Sequence, residues 1–494
     1  MKIALVSPYD FAYPGGVANH ISSLGHHLAQ MGHDVKVIAP ASKTITSLGD
    51  MFIPGGKPHP IPTSGSIARV TISPRLPPSV KAMLNEEKFD VIHLHEPLMP
   101  SLCFHVLRCS RTVNIGTFHA FDGRGYSFSK PLSPLILKVL VSKLDGRIAV
   151  SKPAMDFVSK HFPGSYEIIP NGVDTGHFSP DVAPIDEFCD GKLNILFVGR
   201  LEKRKGADYL LEAYQRIKRC MPNSRLIIVG PGTRLRHKYE KQVRQSGLED
   251  VVFAGYASYG ELPRYYKTAD IFCAPATGWE SFGIVLLEAM AVGKPIVASN
   301  IEGYASLITH GVEGLLVPPK DEDSLTRALT SLMTDESLRQ QMGARGRVKA
   351  KKYDWKYIAQ RVLNYYITVL SESQREWFSL TQWLRERVIN CFLGKQDFMA
   401  KLTQVRKSAY YLTEPAVRFL ARKHITPSTL TLSGFVITLG AAALIATAHL
   451  FIAGFVVLVA GFFDMLDGAL ARRTNQVTRF GAVLDSVLDR VSDA

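Results

Sequence analysis

The feature that most constrains this chain is an alternation of short apolar runs with amphipathic stretches, begun at the N-terminus and begun afresh after Asp190. The first round places strands at Lys2–Tyr9, Asp34–Ala39, Phe89–His95, Val113–His119 and Gly146–Val150, with the turn Gly15-Gly16 and a helix from Val17 to Met31 behind the first of them. The second round gives a strand at Lys192–Gly199, a helix at Ala207–Arg219, and strands at Arg225–Gly230, Val251–Gly255, Asp270–Ala274 and Pro295–Ala298. Runs this short and apolar, separated by helices, call for mostly parallel sheets covered on both faces. The expected fold class is therefore α/β, with two doubly wound, Rossmann-like domains at 1–185 and 186–370, joined near Pro180–Asp190 across a cleft. Ligands of such sheets sit outside the carboxyl ends of the strands. The segment Tyr353–Leu370 is expected to cross back and brace the first domain.

A chain of 494 residues is too long for one core, and 46% apolar with 21% charged residues suits a globular enzyme. The average hides an asymmetry. From Thr426 to Ala471 almost every residue is apolar, small or hydroxylated, with the acids confined to Asp464 and Asp467. Pro427–Thr447 is uncharged and long enough to span a bilayer, and Leu450–Phe463 follows after His449. An α-helical transmembrane module is thus expected at 426–494, behind a basic helical linker at 371–425. The net charge of +14 fits nucleic acid, an anionic membrane or phosphorylated substrates. Without zinc-finger spacing or an aromatic-and-glycine RNA motif, nucleic acid is the weakest of the three and is not an expected partner.

Basic residues gather over Arg339–Lys356 and again at Arg385, Arg387, Lys401, Arg406, Lys407 and Arg418. With Arg422-Lys423 and Arg472-Arg473 they place both ends of the apolar hairpin on the cytoplasmic side, a solvated helix face being the alternative reading. The start MKIALVSPYD reads as a strand and not as a signal peptide, which keeps the first domain in the cytoplasm. Cys103, Cys109, Cys189, Cys220, Cys273 and Cys391 form no CxxC pair and read as reduced and mostly buried.

Candidate site residues cluster after strands. Gly15-Gly16 lets a backbone approach a ligand and turns N–H groups toward an anion at the helix start, though a plain turn uses glycines as readily. In Gly199–Gly206, Arg200 and Lys205 come from the loop before a helix, from where both can reach a pyrophosphate and offset the charge on a departing nucleoside diphosphate. If Ile284 opens a helix, Ser281-Phe282-Gly283 places donors near an anion at its N-terminus. Glu288, about a turn into that helix, suits a grip on ribose hydroxyls, and Glu280 suits sugar hydroxyls. Glu288 lies within the apolar run Ile284–Val292, which disfavours a purely solvated role. His119 ends a strand facing the cleft, where a neutral donor can serve a sugar hydroxyl or the reacting centre. A lone histidine at a strand end is also a common structural residue.

Taken in order, Ser7-Pro8-Tyr9, Pro14–Val17, His95-Glu96-Pro97, Thr117-Phe118-His119, Ile169–Asp174, Gly199-Arg200 with Arg204-Lys205-Gly206, and the Glu-x7-Glu stretch Glu280–Glu288 are similar to the retaining glycosyltransferases of family 4 with the GT-B fold, the phosphatidylinositol mannosyltransferases among them. The resemblance runs from Met1 to about Val369. It implies a GDP-sugar donor, typically GDP-mannose, transfer to a lipid headgroup with retention, and no metal or other cofactor. It also implies that Gly16, Arg200 and Lys205 hold the diphosphate, Glu288 the ribose and Glu280 the donor sugar, with His119 at the reaction centre and Tyr9 on the acceptor side. Family members acting on phosphatidylinositol carry a basic cluster on a first-domain amphipathic helix. Here Pro78–Glu87 has one lysine and two acids, so membrane attachment is expected from elsewhere in the chain.

Four aspartates mark the apolar region. Asp464 and Asp467 are three apart and Asp485 and Asp489 four apart, so on helices each pair shares a face. Convergent carboxylates at a membrane boundary are costly unless a cation compensates them, and hard oxygen ligands suit Mg²⁺ or Mn²⁺ bridging phosphates. Gly468, Ala471 and Gly481 leave room for close helix packing or a nucleotide, and Arg472 can neutralise a phosphate. The spacing is similar to the CDP-alcohol phosphotransferase signature D-x2-D-G-x2-A-R-x8-G-x3-D-x3-D and matches it at every fixed position. That family displaces CMP from a CDP-linked lipid or alcohol. The resemblance implies metal binding by Asp464, Asp467, Asp485 and Asp489, with Asp489 also the general base.

Since the sequence stops five residues after Asp489, two spans and the start of a third are expected, and this chain alone is expected to be inactive in the second reaction. A homodimer through the membrane module or a partner chain would complete it. The reading is a multi-pass cell-membrane protein whose glycosyltransferase half faces the cytoplasm and uses a nucleotide sugar and a phospholipid acceptor, with a CDP-linked lipid or alcohol for the second half. The alternative is a glycosyltransferase for another glycolipid or a soluble acceptor, its tail a non-catalytic anchor or scaffold.

Overall fold

The computed structural model describes residues 1–373 apart from 14, 64–65, 74, 100–101, 121–133 and 233. The described residues all fall within one compact unit. The apolar spans and the aspartate motif lie outside the described residues. Among the described residues, no helix is long and apolar enough to cross a membrane.

The first domain starts with β1 (Lys2–Val6), α1 (Gly16–Gln30), β2 (Asp34–Ala39), β3 (Phe52–Pro54), β4 (His59–Thr63), β5 (Ser66–Val70) and α2 (Pro78–Glu86). It continues through β6 (Val91–His95), α3 (Leu102–Cys109), β7 (Val113–Phe118), α4 (Pro134–Ser142), β8 (Gly146–Ala149), α5 (Lys152–His161) and β9 (Glu167–Ile168). The second domain holds β10 (Leu193–Val198), α6 (Ala207–Cys220), β11 (Ser224–Val229), α7 (Arg234–Gln245), β12 (Val251–Gly255), α8 (Leu262–Thr268) and β13 (Ile271–Ala274). Its remainder is α9 (Ile284–Ala291), β14 (Ile296–Ser299), α10 (Glu302–Ala305), β15 (Gly314–Val317), α11 (Glu322–Thr334) and α12 (Glu336–Ala350).

The first sheet has the order β3-β2-β1-β6-β7-β8-β9 and the second β12-β11-β10-β13-β14-β15. Both are parallel, as expected of strands buried on both faces: every residue of β6 and of β11 is buried. Strand order reverses direction between β1 and β6 in one sheet and between β10 and β13 in the other. A crevice opens at such points, because successive helices leave toward opposite faces.

α1 shows why the sequence folds this way locally. Ile21, Leu24, Gly25 and Leu28 fall on one face at helical spacing and are buried. The missing Cβ of Gly25 lets that face come down on β1, since a Cβ would lie 3.4 Å from Leu5 Cδ1. Chain 355–373 is helical, and its Trp355, Ile358, Val362 and Tyr366 share a core with Ile3, Leu5, Ile21 and Ile148. Burial of each such large side chain stabilises by roughly 2 kcal/mol, so the expected brace on the first domain is real.

The periodic reading gave no β3, no antiparallel hairpin β4–β5, no β9 and no β15. These are short or edge pieces, too brief to show a period, and the Pro-rich His59–Thr63 reads as loop. The expectation for cysteines needs correction: Cys103 and Cys273 are buried, but Cys109, Cys189 and Cys220 are exposed at helix ends and in a connecting loop. On α2, Val80 and Met83 are the residues turned into the core.

Candidate active site

Loops from both crevices meet. α1 begins after Gly15, whose extended backbone offers no side-chain cap, so the first N–H groups of the helix are open to a ligand. A Cβ on Gly15 would lie 3.6 Å from Arg200 Nη2 and one on Gly16 3.4 Å from Ile284 Cδ1, so this turn packs directly on the second domain. Ser151 Oγ, the N-cap of α5, adds a hydrogen bond to the Ser281 carbonyl at 2.6 Å.

In the second domain, Gly206 (φ 72°) ends the tight turn Lys203–Lys205 and starts α6. No other residue fits there, because a Cβ would lie 1.9 Å from the Pro275 carbonyl oxygen. This close approach ties the basic turn to the loop after β13, which carries Glu280. Lys205 Nζ lies 2.7 Å from Glu280 Oε1, and Arg204 Nη1 reaches the same oxygen. Arg204 Nε meets Glu202 Oε2 at 3.0 Å, and Arg200 Nη1 stands 3.8 Å from Glu202 Oε1. Three cations against two carboxylates leave one positive charge in excess. Burial pushes the Glu280 carboxyl up, but Lys205 and then Arg204 outweigh it and hold it below the usual range.

Glu288, on the first turn and a half of α9, is buried and accepts a hydrogen bond from Tyr266 Oη at 2.7 Å. Burial pushes its carboxyl up to about 7, against the smaller pull of that bond.

The opposite wall is built from histidines. Parallel pairing of β6 with β7 sets His95 beside Thr117, so His119 emerges just past its neighbour. His95 Nδ1 and His119 Nε2 are 3.0 Å apart, and His20 Nδ1 bonds Asn171 Oδ1 at 2.8 Å. Deeper in, His93 bonds Tyr366 Oη and Thr117 Oγ1, each at 2.6 Å. Burial lowers His20 to about 4 and His93 to about 3, and it lowers His95 and His119 well below the usual imidazole value, so all four are neutral at pH 7. Glu96, in the left-handed region at φ 52°, accepts the main-chain N–H groups of His119 and Ala120 at 2.6 Å each. His20, His95 and His119 bring one nitrogen apiece within 4.8 Å of each other.

Two cavities meet here. One, of ≈ 450 Å³, is bounded by Arg204, Lys205, Glu280, Phe282 and Gly283. The other, of ≈ 260 Å³, is bounded by Asp10, Tyr13, Ile67, Arg69 and Glu96. Tyr9, Gly16, His119 and Arg200 line both.

Residues 14–177 match the Glycosyltransferase Family 4 model, 184–349 the group 1 glycosyl transferases, and 424–494 the CDP-alcohol phosphatidyltransferases. The phosphatidyl-myo-inositol mannosyltransferase of Mycobacterium leprae is 36% identical over 381 residues, 76% of this chain and 99% of that protein. That of Mycolicibacterium smegmatis is 35% identical over 373 residues, 75% of this chain and 94% of that protein. This chain belongs to the phosphatidyl-myo-inositol mannosyltransferase family of glycosyltransferases.

The fold of the glycosyltransferase unit is GT-B. Sucrose-phosphate synthase from Thermosynechococcus elongatus superimposes with a TM-score of 0.59 at 22% identity, covering 75% of this chain and 99% of its own. HepE of Anabaena, in complex with UDP and glucose, gives 0.59 at 20% identity, covering 74% of this chain and 98% of its own.

Of the residues singled out in the glycosyltransferase sequence, Tyr9, Gly15, Gly16, His119, Arg200, Lys205, Glu280, Phe282 and Gly283 come together on the larger cavity. Glu288 lies behind them, one turn beyond Ile284, and does not itself line either cavity. Sequence reasoning missed Arg204, which shares Glu280 with Lys205, and it missed Tyr266, His20, His95 and Asn171 as partners. A signal existed for the histidines: His93 and His95 alternate on β6, which puts both on one face of a strand otherwise wholly apolar. Asp464, Asp467, Gly468, Ala471, Arg472, Gly481, Asp485 and Asp489 lie outside the described residues.

Proposed function

We propose that this glycosyltransferase moves mannose from GDP-mannose to the headgroup of a membrane phospholipid such as phosphatidylinositol, with retention of anomeric configuration. The observation that carries the reading is the meeting, at His119 and Arg200, of a chamber with excess positive charge and a second chamber that can hold an acceptor. The names of the mycobacterial relatives supply the donor sugar and the lipid class.

In this reading the diphosphate lies against Arg200, Lys205 and the open N-termini of α1 and α9, whose donors oppose the charge that grows on the leaving group. Lys205 is engaged by Glu280, so donor binding exchanges that ion pair for Lys205 on phosphate and Glu280 on sugar hydroxyls. Glu288 serves the ribose and Tyr9 the acceptor side. The bond between sugar C1 and the diphosphate oxygen breaks, the acceptor hydroxyl forms the new bond, and its proton leaves with the diphosphate. His119 stands where a neutral imidazole can donate to the sugar.

For 426–494 the proposal is a membrane-embedded phosphotransferase segment that keeps the glycosyltransferase half at the cytoplasmic face, supported by the match over 424–494. Asp464, Asp467, Asp485 and Asp489 would hold Mg²⁺ or Mn²⁺ there, with Asp489 as general base, and Gly468, Ala471, Arg472 and Gly481 would receive the CDP-linked substrate. An anchor without catalysis is the competing reading of this segment, overturned by Mg²⁺-dependent CMP release from the full chain that Asp489→Asn abolishes.

The test is mass spectrometry of products formed by the full chain in membranes from GDP-mannose and defined lipids. A mannosylated phosphatidylinositol is the expected product. Mannose appearing only on a soluble alcohol, or transfer from UDP-glucose in preference, would refute the lipid or the donor assignment.

A further inference from the structure

His119 has two ring nitrogens, and the one it shows the substrate depends on what holds the other. Its Nε2 is 3.0 Å from His95 Nδ1. Its Nδ1 has no protein partner among the described residues and is not among the buried unsatisfied atoms, so it opens to the cleft that His119 lines. His95 is fully buried, and its own Nε2 is sealed from water with no partner among the described residues. One proton therefore lies between two neutral imidazoles, and two arrangements are open. If His119 Nε2–H donates, His95 must carry its proton on the sealed Nε2 and bury an orphaned N–H. If His95 Nδ1–H donates, what is sealed is a bare lone pair. Orphaned buried N–H groups are the rarer of the two defects.

We propose that His95 is a positioning residue whose Nδ1–H donates to His119 Nε2, fixing His119 as its Nδ1–H tautomer and aiming a hydrogen-bond donor at the sugar. The neighbouring Glu96 completes the grip. Its carboxylate accepts the main-chain N–H of His119 and of Ala120, so consecutive residues at the end of β6 hold the ring and the backbone of the same histidine. Glu96 adopts a left-handed backbone to do so, a conformation disfavoured for a non-glycine residue and retained where surrounding structure enforces it. On the far side, the His20 ring packs edge-on against His119 with centroids 4.9 Å apart and is itself fixed by Asn171. Swinging out of the pair would break this edge-on contact as well.

The three imidazoles also resemble a metal site, with His20 Nδ1 tied to an amide oxygen as metal-binding histidines commonly are. The geometry favours the proton. At 3.0 Å the two facing nitrogens share a hydrogen bond, whereas an ion would require both to be bare.

The inference rests on His119 acting in sugar transfer, but its first test reads the tautomer without turnover. Full-length protein labelled with ¹⁵N-histidine and reconstituted in lipid is examined by magic-angle-spinning NMR, with His119→Gln used to assign the resonance. A protonated Nδ1 and bare Nε2 at His119 are expected. A protonated Nε2 overturns the proposal even if transfer proceeds as described.

The second test is kinetic. His95→Leu should lower kcat by about ten- to a hundredfold with KM for GDP-mannose within about twofold, and His95→Asn, whose amide restores an N–H near the Nδ1 position, should recover most of it. Equal losses in both variants would assign His95 a packing role only. Co²⁺ added to the full chain should give no tetrahedral absorption band that depends on His95; such a band would make the cluster a metal site and displace the proposal.

Discussion

The two walls of the cleft solve the same problem by opposite means. The second-domain wall is ionic: Arg200, Arg204 and Lys205 are gathered by Glu202 and Glu280, and their excess charge awaits an anion. The first-domain wall is neutral: the buried His20, His93 and His95 and the half-buried His119 are held by one His95–His119 bond and by bonds to Asn171, Thr117 and Tyr366, with no lysine or arginine among those partners. The difference follows from where charge changes during transfer. A leaving diphosphate needs fixed positive groups, while a sugar and an incoming hydroxyl need oriented neutral donors and acceptors whose strength grows in a dry site. The walls also differ in scaffold. The ionic groups sit on loops after β10 and β13, whereas His93 and His95 lie within β6, where the strand register fixes them.

The sharpest way to break this contrast is to discharge the ionic wall. Arg200→Ala with Lys205→Ala should reduce kcat by about a thousandfold or more, as for removal of groups that stabilise a developing anion. Measured turnover within a few fold of the parent would show that the excess charge is not what the donor uses. His119→Ala, on the neutral wall, should cost about a hundredfold, a loss carried by kcat more than by donor KM. If the two losses were reversed in size, charge would not be the dominant contribution.

Acid distinguishes the walls a third way. His20 and His93 have folded values of about 4 and about 3, below the usual 6.5, so the stability they contribute is complete above 6.5 and is lost as pH falls toward 4. Glu288, at about 7 against the usual 4.5, has the opposite sign: its contribution is complete below 4.5 and is lost as pH rises through 7. Glu96, beneath the neutral wall, is also raised to about 7 and shares the sign of Glu288. Glu288→Gln keeps an acceptor for Tyr266 and should remove part of the loss between pH 4.5 and 7, raising stability at pH 8 relative to pH 5 by on the order of 1 kcal/mol compared with the parent. Urea midpoints across that range, unchanged in slope by the substitution, would refute the assignment of buried strain to Glu288.

The smallest effect belongs to the contact between the walls. Ser151→Ala removes both the α5 N-cap and the bond to Ser281, and should lower stability by about 1 kcal/mol with transfer nearly intact. A large fall in kcat instead would mean that this contact holds the cleft in register.

Much of this was legible without coordinates. Gly15-Gly16 read as a turn where a backbone could approach a ligand, and Arg200, Lys205 and Glu280 sat in loops after apolar strands. The partners were not legible. Nothing near Glu280 in sequence announces that Arg204 and Lys205, seventy-odd residues earlier, share its carboxylate. Glu288 stands out because it interrupts an apolar run, but nothing in the sequence announces that Tyr266 donates to it. The hairpin β4–β5, which contributes Ile67 and Arg69 to the smaller cavity, has too many prolines to read as strands.

The chain by itself determined two parallel sheets, their crevices and the kinds of side chain at each crevice, because burial on both faces and helical periodicity are properties of local sequence. Only the tertiary structure decided which nitrogen meets which. The one-to-one register of β6 against β7 and the return of the last described helix over β1 bring the buried His20, His95 and Tyr366 up behind His119, which faces the cleft. Water is excluded there by packing between segments hundreds of residues apart, and a histidine's proton is placed by that exclusion.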